Sequence, residues 1–285
     1  MTDTFPALVS TDWLADNLAN AGVVVLDASH HLTAAARKPS AEYAAGHIPG
    51  ARFLDLASLV DTTSNVPAAL PRPEQLAERL ASLGVAPDAH IVLYDDSAIR
   101  TSARAWFMLT ASGWDKVAIL DGGLAKWRAE GRTLDSGEPA ITPAPSAALH
   151  APCDVRSKAD MLGNLATRAE QVLDARSADR VYGAGIDPVH GGPNGRIPGA
   201  LNLPYTAVLN ADGTYKNRDE LRAAFESAGV DLARPVTTSC GSGVTASVLL
   251  FALHLIGKHD TALYDGSWSE WAADPATPKA QGPEA

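Results

Sequence analysis

The chain has 285 residues, 46% hydrophobic and 20% charged, which is enough apolar content for the cores of two domains. Its formal net charge of −10 excludes the basic stripe that nucleic-acid binding needs, although a few local arginines can still dominate a cleft for a small anion. Two cysteines make no disulfide framework; their one pairing is Cys153–Cys240, and a reduced, cytoplasmic protein is the default expectation.

In chain order, the opening MTDTFPALVS has neither the basic nor the apolar region of a signal peptide. VVVLDAS at 23–29 is a short apolar run that ends in an acid, and GHIPGA follows at 46–51. LPRPEQLAERLASLGV at 70–85, LYDDSAIRTSARAWF at 93–107 and LDGGLAKW at 120–127 complete the first half. The stretch 133–154 is rich in Pro, Ala and Ser, shows neither helical nor strand period, and reads as a linker crossing a domain surface. Cys153 at its end reads as an incidental surface thiol with no neighbour to activate it.

The second half repeats the first. QVLDARS at 171–177, GRIPGA at 195–200, KNRDELRAAFESAGV at 216–230 and YDGSWSEW at 264–271 match four earlier blocks, in the same order and at nearly constant spacing. Ordered repetition of this kind marks a duplicated domain. The expected organisation is a domain at 1–135, a linker at 136–154 and a second domain at 155–285.

QVLDA reads as a strand of the buried parallel type. RDELRAAFESAGV reads as an amphipathic helix with Asn217 as its N-cap and Gly229 as its stop. PVTTS at 235–239 and TALYDG at 261–266 read as strands, and VTASVLLFALHLIG as a buried helix. The alternation predicts α/β domains, each a mostly parallel sheet flanked by helices on both faces. The longest apolar run, 248–257, is too short to cross a bilayer, so no membrane partner is expected.

Cys240 stands between the strand PVTTS and that helix, in the short glycine-rich turn Cys240-Gly241-Ser242-Gly243. Such a turn aims backbone N–H groups at one point, and the helix N-terminus adds the positive end of its dipole. The setting favours negative charge at the sulfur and marks Cys240 as a nucleophile. In the first copy the corresponding loop is 93–107, and counting back places Asp96 opposite Cys240. One copy therefore keeps the nucleophile while the other carries acids and lacks the catalytic cysteine.

The two G-H/R-I-P-G-A blocks, the LDGG–Trp element, the YDGSWSEW ending and the cysteine loop together resemble the tandem-domain rhodanese-like sulfurtransferases over nearly the whole chain. The resemblance implies that Cys240 accepts a sulfur atom from a small-molecule donor, carries it as a persulfide without a cofactor, and passes it to an acceptor. Thiosulfate-using members carry Arg-Lys-Gly-Val-Thr after the cysteine, whereas 3-mercaptopyruvate-using members carry Gly-Ser-Gly-Val-Thr. The loop here is of the second kind, and it lacks the cations that a thiosulfate dianion favours.

By the same resemblance the loop residues Gly241, Gly243, Val244 and Thr245 cradle the donor, and Ser242 polarises its thiol. Arg180 is placed to hold the carboxylate. The position of a second arginine is occupied by Val189, which leaves Arg196, Arg100 or Arg104 as substitutes. His47 matches the histidine of a Ser-His-Asp relay, yet the stretch 30–50 has no Asp and only Glu42 nearby; a structural histidine is the other reading. The remaining histidines lack metal-ligand spacing, so no metal site is expected. The tryptophans read as core and interface residues, Asp27 and Asp174 as structural, and Asp95 and Asp96 as acids that would repel a dianion.

The leading expectation is an enzyme that moves sulfur from 3-mercaptopyruvate to a thiol, a thioredoxin-like protein or cyanide, and releases pyruvate. Two alternatives stand beside it: a thiosulfate:cyanide sulfurtransferase and a non-catalytic persulfide carrier that docks another protein. A Cys-x5-Arg phosphatase is disfavoured because Ala246 stands where that loop needs its arginine.

Overall fold

The computed structural model describes residues 5–282; Met1–Thr4, at the head of the stretch read for a signal peptide, and 283–285 lie outside the described residues. The chain forms two compact units. The first comprises Met1–Asp61, Leu70–Cys153 and Ala211–Thr214, and the second Thr62–Ala69, Asp154–Asn210 and Tyr215–Ala285.

In the first unit the elements are β1 (Leu8–Val9), α1 (Thr11–Asn17), β2 (Val23–Asp27), α2 (Pro39–Ala45), β3 (Arg52–Phe53), α3 (Pro73–Ser82), β4 (His90–Tyr94), α4 (Ser102–Ala111), β5 (Val117–Leu120) and α5 (Gly123–Ala129). The second unit has β6 (Val155–Arg156), α6 (Lys158–Thr167), β7 (Gln171–Asp174), α7 (Ala178–Tyr182), β8 (Leu201–Asn202), α8 (Arg218–Ser227), β9 (Val236–Ser239), α9 (Val244–Leu255), β10 (Thr261–Tyr264) and α10 (Ser267–Ala273). Each unit holds a five-stranded sheet, ordered β1-β5-β4-β2-β3 in the first and β6-β10-β9-β7-β8 in the second. Every strand pair in both sheets is parallel. The two orders are the same permutation, as a duplicated domain requires.

The central strands read as they do because both faces are covered. Beyond their first residue, β2 and β4 are buried throughout, and β9 is buried along its whole length. The helix α9 is apolar on all sides and has eight buried residues from Ala246 to Leu253, so it lies inside its unit rather than on it. By contrast α8 is amphipathic. Asn217 accepts from the Asp219 and Glu220 amides while Glu220 accepts from the Asn217 amide, which forms a capping box. The helix ends before Gly229, whose φ of 84° suits a residue without Cβ.

The repeated blocks are structural seams. In each unit the residue before Ile-Pro-Gly forms an isolated bridge to the segment beyond the last helix, His47 to Asp135 and Arg196 to Ala280. The tryptophan closing the last repeated block pins that same segment: Trp127 Nε1 donates to the Thr133 carbonyl and Trp271 Nε1 to the Pro278 carbonyl, both at 2.8 Å. The Pro-rich stretch after the first domain lies along the first unit, where Ala144, His150 and Cys153 donate amide hydrogen bonds to the Ala81, Ser112 and Ala111 carbonyls. Neither Cys153, which is exposed, nor Cys240, which is buried, forms a disulfide. No helix among the described residues is long and apolar enough to cross a membrane.

Candidate active site

Strand order creates the site in the second unit. The chain leaves β7 toward one edge of the sheet and returns through β9 toward the other, so β7 and β9 flank the point where the order reverses. The carboxyl ends of strands at such a point open a crevice for ligands. Asp174 ends β7, directly opposite Ser239, and Cys240 follows immediately.

The turn that carries Cys240 is braced by the block at 264–271. Ser267 Oγ accepts from the Cys240 and Gly243 amides, each at 3.1 Å, and donates to the Tyr264 carbonyl at 2.9 Å. Ser267 has a φ of 50°, an uncommon conformation for a residue with a Cβ, held here by its three bonds. Trp268 and Ser269 donate their amides to the Cys240 and Gly241 carbonyls, at 2.9 and 3.0 Å. Gly243, with φ 78°, caps α9. The amides of Gly241, Ser242, Val244 and Thr245 have no protein acceptor among the described residues. They are the donors that a helix N-terminus leaves open for an anion. The cysteine itself is only 2% exposed.

Behind the turn lies a buried ladder of charge. Arg176 is 1% exposed and grips Asp174 through Nε at 3.1 Å and Nη2 at 2.6 Å. Its Nη2 also donates to the Gly195 carbonyl at 2.7 Å, and the guanidinium lies over the Trp268 ring at 4.8 Å. Its Nη1 stands 3.4 Å from Asp187, which Arg180 holds in turn through Nε at 3.0 Å and Nη2 at 2.8 Å. Burial works against the charge on Arg176, but Asp174, Asp187 and Cys240 outweigh it and raise its pKa. The Cys240 sulfur is thus within electrostatic reach of a buried cation. Burial opposes the charge on Asp187 as well; the Arg180 hydrogen bond, the Val189 amide and the two guanidinium charges prevail and hold its carboxyl below the usual range.

The structure brings Cys240, Gly241, Ser242, Gly243, Val244 and Thr245 together in one turn, with Ser242, Val244 and Thr245 half-buried. Arg180 stands on α7 with Nε and Nη2 on Asp187. Arg196 turns inward: it is 2% exposed, its Nη1 donates to the Gly282 carbonyl, and it stacks on Tyr182 at 4.9 Å. His47 lies in the first unit. Its ring stacks on Tyr43 at 4.1 Å, and its Nδ1 is 2.9 Å from the Tyr43 carbonyl. Glu42 is engaged by His31 at 2.9 Å and by Arg37 at 2.7 Å.

Four residues were missed by sequence reasoning: Arg176, Asp187, His190 and Ser267. Arg176 left a signal, since the first copy has Ser29 where the second has arginine. The other three left none that spacing shows: the partners of Ser267 and His190 are distant in the chain, and Asp187 meets its two guanidiniums only through the fold of the loop after α7.

The first unit corrects one alignment. Tyr94 pairs with Asp27 as Ser239 pairs with Asp174, and Leu124 donates to the Asp95 carbonyl as Trp268 donates to that of Cys240. The counterpart of Cys240 is therefore Asp95, not Asp96; the loop from Asp95 to α4 is longer than that from Cys240 to α9, so counting along the chain slips by one. The Asp95 carboxylate accepts from the Ser97 and Ser102 amides, both at 2.8 Å.

A family model described as rhodanese-like domain matches residues 10–130 and again 157–274. The 3-mercaptopyruvate sulfurtransferase of Escherichia coli K12 is 40% identical over 266 residues, which span 93% of this chain and 94% of that protein. A thiosulfate sulfurtransferase of Cricetulus griseus is 37% identical over 287 residues, which span 98% and 96%. The crystal structure of SseA from Escherichia coli, described as a 3-mercaptopyruvate sulfurtransferase with the rhodanese fold, matches with a TM-score of 0.84 at 39% identity, over 92% of this chain and 99% of that one. With the same topology in both units and a family match over each, the chain belongs to the rhodanese-like family and carries two copies of its domain.

Proposed function

We propose that the protein is a sulfurtransferase that takes sulfur from 3-mercaptopyruvate onto Cys240 and releases pyruvate. Identity to the mercaptopyruvate relative, 40%, and to the thiosulfate relative, 37%, is nearly equal, so overall likeness does not choose the donor. The loop chooses it. A run of open amides with no cationic side chain from Gly241 to Thr245 suits one thiol sulfur rather than a dianion.

In this reading the Cys240 thiolate attacks the donor sulfur and the donor's C–S bond breaks. Its electron pair leaves with the carbon fragment as the enolate of pyruvate, which is protonated at carbon by the proton the donor thiol gives up. The persulfide charge rests on the open amides of the turn, as an oxyanion rests in its hole. The half-buried Ser242 hydroxyl sits at the mouth of the turn to pass that proton. Arg180 presents Nη1, the guanidinium nitrogen that Asp187 leaves open, to the carboxylate. A thiol, a thioredoxin-like protein or cyanide then attacks the outer sulfur and restores the thiolate. His47 and Arg196 take structural parts, each holding its unit's bridge to the segment after the last helix.

The test is to incubate the reduced protein with 3-mercaptopyruvate, and separately with thiosulfate, and to weigh the Cys240 peptide. Gain of one sulfur from mercaptopyruvate with release of pyruvate supports the reading. Gain from thiosulfate alone reassigns the donor, and gain from neither leaves the persulfide carrier.

A further inference from the structure

The geometry points to His190 as the donor-recognition group of the Cys240 turn: we propose that its imidazole, seated on Gly241, hydrogen-bonds the anionic end of the sulfur donor, a small thiol-bearing α-keto carboxylate. The inference rests on the function proposed above and names a further residue for it.

The first observation is steric. A Cβ placed on Gly241 would stand 1.8 Å from His190 Nε2, 2.4 Å from Cδ2 and 3.0 Å from Cε1. No side chain at 241 can coexist with the ring where it lies. Gly241 has a further role beside its flexibility: it leaves the space next to the nucleophile that the imidazole fills. The glycine and the histidine form one unit.

The second observation is rigidity. His190 sits on a turn built around Asp187, whose Oδ1 accepts from the Val189 amide at 2.9 Å. The Asp187 amide donates to the Gly192 carbonyl at 2.7 Å, and the Gly191 amide to the Asp187 carbonyl at 2.9 Å. The side chain of Asp187 is wholly buried between Arg176 and Arg180. The charge ladder behind the cysteine therefore also anchors the backbone that carries the ring, as a binding group needs.

The third observation is availability. Arg176, Asp174 and Asp187 are spent on one another, and Arg196 is spent on Gly282 and Tyr182. Among the described residues no protein hydrogen bond reaches the ring nitrogens of half-buried His190, so an N–H remains for a ligand. The charged groups that act on it are Asp187, already held by two guanidiniums, and Arg180 and Arg176 themselves.

The experiment compares the full chain with H190A, H190Q, G241A and the H190A/G241A double variant, following pyruvate release from 3-mercaptopyruvate, the mass of the Cys240 peptide and thermal melting. Loss of one hydrogen bond to a charged ligand predicts a KM raised about tenfold in H190A, with kcat changed far less. G241A, which evicts the ring, should raise KM equally, and the double variant should be no worse than either single one. H190Q, whose amide nitrogen reaches the same place as Nε2, should recover part of the loss, and it carries the test should H190A not fold. An unchanged KM in folded H190A, or effects of H190A and G241A that multiply, overturns the proposal. A wild-type chain that gains no sulfur from mercaptopyruvate overturns the parent reading instead, and this inference with it.

Discussion

The loop after the central strand exists twice in this chain, and the two versions solve the same electrostatic problem in different ways. Both begin where a strand pairs with an aspartate, Tyr94 opposite Asp27 and Ser239 opposite Asp174. Both run toward the N-terminus of a buried helix that has donors to spare. In the first unit Asp95 fills the position with its own carboxylate, bound by the Ser97 and Ser102 amides. In the second, cysteine takes the position and the amides stay open. The first unit has supplied its anion covalently, whereas the second leaves the place for one that comes and goes. The surroundings follow suit. Burial pushes the carboxyls of Asp27 and Asp95 up, with no guanidinium hydrogen-bonded to either among the described residues, while Asp174 lies in the grip of Arg176.

Removing the charge that both guanidiniums of the second unit share should have the largest effect. Asp187→Asn leaves Arg176 and Arg180 without their common partner inside the protein, at a cost of about 3–5 kcal/mol. Chemical denaturation of the variant checks this, and a loss below about 1 kcal/mol would show the ladder to be solvated.

The loops themselves can be set against each other. Asp95→Ala strands the Ser97 and Ser102 amides and should cost about 1–3 kcal/mol. Cys240→Ala strands none; it should melt close to the wild type yet gain no sulfur. Equal destabilisation by the two changes would break the comparison. Ser267→Ala removes the hydroxyl that gathers the Cys240 and Gly243 amides. We expect a loss of about 1–3 kcal/mol, together with slower sulfur uptake by the same Cys240 peptide.

The smallest effect is a difference in pH response. Folded-state pKa values above the ordinary carboxylate range mean that Asp27 and Asp95 cost stability at neutral pH, a cost relieved as the pH falls through those raised values. Asp187 is depressed, so its contribution is complete above the unfolded value near 3.8 and is lost only as the pH falls below that. Hydrogen exchange on β2 and β4 against β7 and β9, from neutral pH down to about 4, should show the first sheet gaining protection relative to the second. A parallel response in both sheets would contradict the contrast.

Much of the frame was legible from the chain alone. The repeat announced two copies of one fold. Short β-branched runs such as VVVLD and VTTS marked strands, and Asn217 and Gly229 bounded α8 because caps are local chemistry. The edge strands β1, β3, β6 and β8 were not legible, since two residues carry no period. Cys240 in its glycine turn was visible because nucleophile, strand end and helix start are neighbours in sequence.

Only the tertiary structure decided what surrounds that cysteine. Ser267 reaches it from another element, Arg176 acts on it through its charge with Asp187 behind, and His190 meets Gly241 across a gap of fifty residues in the chain. Even the identity of its counterpart in the first unit came from strand register rather than counting. Local propensity and hydrophobic period fix what each segment becomes. Which side chains share a crevice depends on how strand order folds distant segments onto one point, and no spacing rule contains that order.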